Sequence, residues 1–262
     1  MYLTDVHSHI LHNIDDGSPN LDTSIELLEA SFEQGVRKIV LTPHFDFKKY
    51  SIGTFLTKRK NRFLELKDEI EKRKIKSPKL YLGAEVSLTT DISVVRDVEK
   101  LAFENTNYIL IEMPYNMWQN WMYDSIFNLM TTKDLVPIMA HIERYFESVE
   151  LSRILDLAKM DLYFQINASS VVNKNQFKHV LKFINNNLVY FLGSDAHDPV
   201  LRPSLLKQAI DILEKRVSKE YAHFLTVNAS LMLDNKMIDR AEELEIPKGN
   251  MRLWDKIFYS SF

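Results

Sequence analysis

The chain has 262 residues, which matches one (β/α) barrel domain and is enough to bury a substantial core. With 45% hydrophobic and 26% charged residues, its composition excludes a disordered chain. A net charge of -3 gives no global field that would recruit nucleic acid or an anionic membrane. No apolar run approaches the roughly 18 residues of a membrane span, and the first residues lack a signal-peptide pattern, so we expect a cytoplasmic protein without membrane insertion.

Cysteine is absent from the chain. Its absence excludes disulfides, thiolate zinc sites and any mechanism that uses a cysteine nucleophile. A phosphatase built on this chain must therefore use another nucleophile, and the simplest one is a metal-activated water.

Short apolar runs alternate with amphipathic, charged segments along the chain, which is typical of repeated β-α units. We predict seven buried parallel strands, at residues 2–7, 38–42, 80–85, 108–112, 136–141, 162–167 and 188–194. The predicted fold class is α/β, a distorted (β/α)7 TIM-like barrel. It forms a single domain over residues 1–262, with a C-terminal tail at 247–262 that docks on the barrel or on a neighbouring subunit of a homo-oligomer.

Helices are predicted between the strands from apolar residues at a spacing of three and four. The first begins at Ser18-Pro19 and ends at Gly35. Four further helical faces are marked by Leu56, Phe63, Leu66 and Ile70; by Ile92, Val95 and Val98; by Leu151, Ile154, Leu155 and Ala158; and by Leu205, Ala209, Ile212 and Leu213.

Nearly every predicted strand ends in a side chain able to bind a metal ion, and in barrel enzymes that end carries the active site. These residues are His7, His9, His44, Glu85, Glu112, His141, Asp195 and His197, with Asp16 in the first β-α loop. Each alone is compatible with an ordinary packed or solvated side chain. Together, histidines and carboxylates without thiols favour a multinuclear site for Mn, Fe or Zn.

Two arginines follow these candidate ligands. Arg144 lies just after His141, and Arg202 just after His197. Guanidinium groups bind phosphate oxygens with planar, bidentate geometry, so we predict that both arginines bind phosphate. Beyond Glu112, Tyr115, Trp118 and Trp121 either line a cleft for an aromatic leaving group or pack on a helix.

Six motifs contain these residues: Asp5-Val6-His7-Ser8-His9, Ile14-Asp15-Asp16-Gly17, Thr42-Pro43-His44, Gly83-Ala84-Glu85, Ala140-His141-Ile142-Glu143-Arg144 and Gly193-Ser194-Asp195-Ala196-His197. In these motifs the chain resembles the PHP superfamily of metal-dependent phosphoesterases, and within it the capsule-type bacterial protein-tyrosine phosphatases (CpsB/CapC-like). The resemblance implies a distorted seven-stranded barrel that holds about three divalent metals, often manganese.

The resemblance also implies a ligand set. His7, His9, Glu85 and Asp195 correspond to the ligands of one metal; Glu85 bridges to a second, completed by Glu112 and His141; Asp16, His44 and His197 correspond to the ligands of a third. Arg144 and Arg202 correspond to the phosphate-binding positions. The implied substrate is phosphotyrosine on the tail of a bacterial tyrosine autokinase that controls capsular or exopolysaccharide synthesis.

The chain departs from the family where His12-Asn13 replaces a common Pro-Gly, so the loop that carries Asp16 is expected to differ in shape. Two alternatives to the protein phosphatase remain open. One is a small-molecule phosphomonoesterase of the same superfamily, such as a histidinol-phosphatase-like enzyme. The other is a non-catalytic protein that binds a phosphorylated partner, and it predicts a damaged ligand set.

Overall fold

The computed structural model describes residues 2–115 and 117–238. The strands are β1 (Leu3–Asp5), β2 (Val36–Leu41), β3 (His44–Phe45), β4 (Lys79–Leu82), β5 (Glu85–Ser87), β6 (Tyr108–Glu112), β7 (Val136–Met139), β8 (Tyr163–Asn167) and β9 (Val189–Gly193). The helices are α1 (Leu21–Glu33), α2 (Ile52–Arg73), α3 (Asn120–Lys133), α4 (Leu151–Ala158), α5 (Ala168–Val172), α6 (Lys174–Asn185), α7 (Leu206–Arg216) and α8 (Lys219–Leu233). Two 3-10 turns span Val98–Leu101 and Ile142–Tyr145.

All neighbouring strands run parallel, as predicted. They form a three-stranded sheet in the order β1-β2-β4 and a six-stranded sheet in the order β3-β5-β6-β7-β8-β9. The sequence predicted one strand where the structure has β2 and β3, and one where it has β4 and β5. Each pair is a single course of chain interrupted by two residues, and hydrogen bonds from Gly83 N to Leu41 O (2.9 Å) and from Glu85 N to Pro43 O (3.2 Å) cross the interruptions.

The two outer edges of these sheets meet just beyond β1 and β9. Ser8 and Ala196 form an isolated parallel bridge, and Asp195 N donates to His7 O at 2.8 Å. Within residues 2–115 and 117–238, the hydrogen-bonded strands themselves do not form one closed ring. The α/β class with parallel sheets is therefore confirmed, whereas a closed barrel stays a prediction.

The core has two layers separated by the strands. Val40, Leu110, Ile138 and Phe191 belong to a cluster on one face of the strands. Their strand neighbours belong to a second and larger cluster that includes the buried faces of the helices. Alternation of side chains between the two faces of a strand produces this division, and it explains why these strands read as continuous apolar runs.

Most predicted helices are present, with one exception. Helix α1 begins after Asn20, whose side chain accepts from Thr23 N, and Gly35 follows its end with φ +89°. The helix predicted over residues 92–98 was wrong, because only the 3-10 turn at Val98–Leu101 forms there. Asp91 accepts hydrogen bonds from the backbone and the hydroxyl of Ser93, and such local bonds compete with helix formation.

The predicted tail at residues 247–262 lies outside the described residues. None of the described helices is both long and apolar enough to cross a bilayer.

Candidate active site

The imidazoles of His7 and His9 lie side by side beyond β1. Between them, Ser8 turns towards β2, where its N–H donates to Thr42 Oγ1 (3.0 Å) and its hydroxyl donates to Val40 O (2.8 Å). Period-two alternation then directs both rings to the other face, where their Nε2 atoms are 3.0 Å apart. Both histidines are fully buried, so each ring nitrogen needs a partner.

Glu85 lies at the centre of the histidine cluster. Its Oε2 is 3.3 Å from His7 Nε2, 3.1 Å from His9 Nε2 and 3.0 Å from His44 Nδ1. Its other oxygen is 2.8 Å from His141 Nε2. Since the carboxylate is completely buried, it must be compensated by cations, and the four imidazoles surround it.

Glu112 and Asp16 extend the cluster towards the surface. Glu112 lies 3.7 Å from His141 Nε2 and 3.8 Å from His44 Nδ1. Asp16 Oδ1 lies 3.4 Å from His44 Nε2 and 3.7 Å from His197 Nε2. The structure thus brings all the predicted ligands into one cluster, although the Asp16 side chain remains 65% exposed.

Asp195 divides its two oxygens between different neighbours. Its Oδ1 faces His7 and His9 at 3.6 and 3.5 Å. Its Oδ2 accepts hydrogen bonds from Arg144 and, at 3.0 Å, from Arg202. Both predicted phosphate-binding arginines therefore lie beside the cluster and are partly exposed, at 37% and 41%.

The backbone is strained at two of the candidate ligands. His141 and Asp195 both have positive φ, at 32° and 52°, and each lies two residues after the end of its strand, β7 or β9. Non-glycine residues rarely occupy this region, and such strain persists where the surroundings hold the residue in place. It turns both side chains into the cluster at the ends of their strands.

The residues present fit divalent cations. Three groups place one ligand atom per residue within 4.8 Å of one another: His9, Asp16, His44 and His197; His7, His9 and Asp195; and His44, Glu85 and Glu112. His197 Nε2 is one of the buried side-chain atoms without a hydrogen-bond partner among the described residues. Mixed imidazole and carboxylate donors without thiolates suit Mn, Fe or Zn.

Burial and neighbouring charges shift the pKa values of the side chains in the cluster. Burial lowers the pKa of His9, but hydrogen bonds to Asp15 and Glu85 outweigh burial and raise it to about 9. Burial likewise lowers the pKa of His44, and its hydrogen bond to Glu85 raises it to about 9. Burial raises the pKa of Glu85, but the charge of His7 and the hydrogen bonds from its imidazole neighbours hold it well below its usual range. The imidazoles of His9 and His44 therefore keep their protons to a higher pH than free imidazoles do.

Three functional side chains were not predicted from the sequence. Asp15 accepts from His9 Nδ1 (2.7 Å) and from His44 N (2.9 Å), so it orients two candidate ligands. Gln165 Oε1 lies 3.1 Å from His7 Nδ1, and Asn167 donates to Asp195 Oδ2 at 2.7 Å. Partners of this kind fix the orientation of metal-binding side chains.

A signal for these residues was present in the sequence. The sixth predicted strand was the only one without a candidate ligand near its end, and Gln165 and Asn167 are two residues apart in it. Alternation places both on one face, where they support the ligands of neighbouring strands. Asp15 was visible as the first carboxylate of the Asp15-Asp16-Gly17 motif.

The loop that departs from the family is attached to α2. His12 is buried, and its Nε2 is 2.8 Å from Glu65 Oε2. His179 stacks on Phe146 with ring centroids 4.5 Å apart, and His223 lies in α8, so both lie outside the cluster.

For one of the three aromatic residues after β6, the structure decides between the two alternatives left open by the sequence. Trp118 is buried, with its ring 5.1 Å from that of Tyr145, and its Nε1 donates to Pro114 O at 2.8 Å. It packs in the core. Tyr115, in contrast, is 64% exposed, and Trp121 donates from Nε1 to Gln119 Oε1 at 2.6 Å.

An open cleft of about 600 Å3 adjoins the cluster on the side of β3, β5 and β6. It is lined by Ile14, Asp15, Asp16, His44, Asp46, Lys49, Tyr50, Ser87 and Glu112. Arg144 and Arg202 lie beyond the cluster, on the side of β7 and β9. A molecule bound between the arginines and the cleft would cross the cluster.

We expect Gly193→Ala to displace a candidate ligand. A Cβ at this position would lie 2.6 Å from His7 Cβ and 2.9 Å from Gln165 Nε2. Forcing a methyl group into a filled core costs about 1 to 3 kcal/mol of stability, and here His7 must also shift. Denaturant unfolding should show this loss, and calorimetry should show weaker binding of Mn.

Gly53→Ala provides the matched control. A Cβ there meets nothing within 4 Å, and the position lies in α2. Its stability should be unchanged or rise by up to about 1 kcal/mol. Unchanged Mn binding in the Gly193 variant would contradict the importance of this close packing.

The chain is similar to known proteins in sequence and in structure. A sequence model of the family described as Capsular polysaccharide synthesis, CpsB/CapC, matches residues 3–234. Tyrosine-protein phosphatase CpsB of Streptococcus agalactiae serotype III (strain NEM316) is 33% identical over 254 residues, covering 90% of this chain and 100% of that protein. Tyrosine-protein phosphatase YwqE of Bacillus subtilis (strain 168) is 31% identical over 248 residues, covering 91% and 94%.

A solved structure also matches. It comes from the pair YwqE of Bacillus subtilis and CpsB of Streptococcus pneumoniae, described as unique metal-dependent tyrosine phosphatases. The similarity has a TM-score of 0.80 at 28% identity and covers 91% of this chain and 97% of that one.

Proposed function

We propose that this chain, which belongs to the CpsB/CapC family of capsular polysaccharide synthesis, is a metal-dependent protein-tyrosine phosphatase. The observation that carries this proposal is the intact cluster around Glu85, in which all nine predicted ligands meet. A protein that only bound a phosphorylated partner would have no reason to keep this set complete. The relatives named tyrosine-protein phosphatases supply the class of substrate.

The proposed cofactor is about three divalent metal ions, manganese first and Fe or Zn as alternatives. His7, His9, Glu85 and Asp195 would hold one ion, and Glu85, Glu112 and His141 a second. Asp16, His44 and His197 would hold the third. Bound cations of this kind lower the pKa of water and neutralise phosphate charge. His9 lies within reach of two of these positions.

The protein groups have separate roles in this proposal. Asp15, Gln165 and Asn167 orient the ligands by the hydrogen bonds described above. Arg144 and Arg202 bind the non-bridging phosphate oxygens of the substrate. Burial lowers the pKa of Arg144, but the charges of Asp195 and Glu143 raise it above its usual value, so this guanidinium stays cationic. Charge-assisted bonds from both arginines then favour the dianionic phosphate.

The proposed leaving group is the phenolate of tyrosine. Its reference pKa of about 10 makes it a better leaving group than an alkoxide, so it needs little help from a general acid. The proposed partner is the phosphorylated tail of a bacterial tyrosine autokinase that controls capsular or exopolysaccharide synthesis. The proposed location is the cytoplasm, where such a tail would be found.

The same proposal includes a single domain built on a distorted seven-stranded barrel. Counting β2 with β3 and β4 with β5 as interrupted strands leaves seven courses, and the bonds between His7, Ser8, Asp195 and Ala196 join the outer two. Ligands at the ends of these strands match the usual position of a barrel active site.

Turnover of two phosphate esters tests the proposal. Metal-free protein reconstituted with Mn should hydrolyse a phosphotyrosine peptide in preference to histidinol phosphate, and chelation should abolish the activity. Preference for histidinol phosphate would replace the substrate class with a small-molecule ester. No metal-dependent hydrolysis of either compound would contradict the phosphatase itself.

A further inference from the structure

We infer that the cleft beside the cluster is the binding subsite for the tyrosyl ring and for an acidic residue next to it, with Tyr50 and Lys49 as the residues that determine specificity. The inference rests on the proposed function and deepens it. It concerns two side chains that lie outside the metal-binding set.

The cleft lies next to the candidate metal cluster. Asp16, His44 and Glu112 belong both to its lining and to the candidate metal cluster. The two arginines lie on the far side of that cluster, at Asp195. A phosphate that lies across the cluster, with its non-bridging oxygens on the arginines, would therefore have its ester oxygen on the side that opens into the cleft. A volume of about 600 Å3 is ample for a phenol ring.

The lining of the cleft includes one tyrosine ring. Most of the lining is polar or charged, whereas Tyr50 contributes a phenol ring and Ile14 an aliphatic side chain. Offset or edge contacts between aromatic rings add to the energy of burial, so Tyr50 favours an aryl ester over an alkyl ester. Tyr50 itself is half-buried and packs against the core of the protein.

Tyr50 is held in place by its neighbours. Its N–H donates to Asp46 O at 3.1 Å, and it immediately precedes Ser51, the N-cap of α2. Lys58 Nζ lies 5.4 Å from the centroid of the Tyr50 ring and also donates to Ile14 O at 3.2 Å. Lys58 thus contacts both the Tyr50 ring and the loop that carries Ile14. Because the ring is already held in place, little conformational entropy is lost when a substrate binds to it.

Lys49 adds a charge to this subsite. Among the residues that line the cleft it is the one lysine or arginine, and it is exposed and forms no ion pair within 4.0 Å in the described part of the chain. The carboxylates of Asp15 and Asp46 already accept hydrogen bonds from other groups. The ammonium group of Lys49 therefore remains available to a carboxylate of the substrate that flanks the phosphotyrosine.

Substitution of Tyr50 in the Mn-loaded full chain tests the aromatic part. We expect Tyr50→Ala to lower kcat/KM for a phosphotyrosine peptide by about tenfold, while hydrolysis of glycerol 2-phosphate changes by less than about threefold. Tyr50→Phe should restore the value for the peptide. Tyr2→Ala is the matched control, since Tyr2 is an exposed tyrosine at the opposite end of β1. Equal losses for both substrates, or none, would overturn the inference.

The charge of Lys49 is tested with two peptides that differ only beside the phosphotyrosine. Lys49→Glu should remove the preference for an acidic neighbour over a neutral one, whereas Lys178→Glu, at an exposed position of α6, should keep it. A preference that survives in the Lys49 variant would show that Lys49 takes no part.

A binding measurement separates this inference from the proposed function. The probe is a peptide with a non-hydrolysable phosphonate analogue of phosphotyrosine, titrated by calorimetry into wild-type and Tyr50→Ala protein. Weaker binding to the variant supports the subsite even if neither protein turns over phosphotyrosine. Equal binding to both overturns the subsite even if the phosphatase activity is real.

Discussion

Glu85→Gln should abolish both metal binding and phosphatase turnover. The carboxylate lies within 3.3 Å of four imidazoles. The other carboxylates of the cluster contact fewer imidazoles; Asp195, for example, contacts three. Loss of a residue that only supports a ligand costs up to about 100-fold in metal affinity or activity, so loss of the shared ligand should exceed that factor. Calorimetry with Mn and turnover of a phosphotyrosine peptide measure the two effects.

Glu29→Gln is the matched control for this variant. Glu29 is an exposed carboxylate of α1, distant from the strand ends, and its removal changes the net charge by the same amount. It should retain full Mn binding and activity. A Glu85→Gln protein that still bound three ions with wild-type affinity would contradict the central position assigned to this carboxylate.

The sequence was most informative where the chemistry is local. Alternation along β1 was enough to place His7 and His9 on one face, and the apolar runs located the long strands, although β3, which carries His44, was not predicted. The ends of parallel strands meet at one edge, so residues far apart in sequence could be assigned to one site before any coordinates were known.

The features that were missed depend on three-dimensional contacts. The interruption between β4 and β5 falls inside the strand predicted at residues 80–85, because the apolar run continues across it. The segment at residues 92–98 has a helical spacing, yet Ser125 Oγ accepts from Ile92 N at 3.1 Å and Asp91 binds Ser93. The tertiary hydrogen bond to Ser125 and the local bonds of Asp91 together override the helical pattern.

Gln165 and Asn167 were missed for a different reason. Neutral amides are uncommon metal ligands, so a search for histidines and carboxylates passes over them. Their function becomes visible only when Gln165 Oε1 is seen to lie 3.1 Å from His7 Nδ1 and to accept from His141 N at 3.0 Å. One side chain thus fixes two candidate ligands from different strands.

Metal affinity should rise steeply with pH, because the cations and protons compete for the same nitrogens. In the metal-free protein the pKa of His9 and that of His44 are each raised to about 9, from an ordinary value of 6.5. Their protonated forms stabilise the metal-free fold fully below pH 6.5, and this contribution is lost as the pH rises through 9. A metal ion binds only the neutral imidazole. Below about pH 9, metal binding must therefore release one proton from His9 and one from His44.

Two released protons correspond to about a hundredfold gain in Mn affinity per pH unit, and hence to about 10³-fold between pH 6.5 and 8. Calorimetry in buffers with different ionisation enthalpies counts the protons directly. His44→Gln should bind Mn more weakly but with a slope reduced by about one proton, since His9 alone then titrates in this range. An affinity that is flat over this interval would mean that the imidazoles are already neutral in the metal-free protein. In that case the close contacts of Glu85 would be hydrogen bonds to neutral rings and not ion pairs.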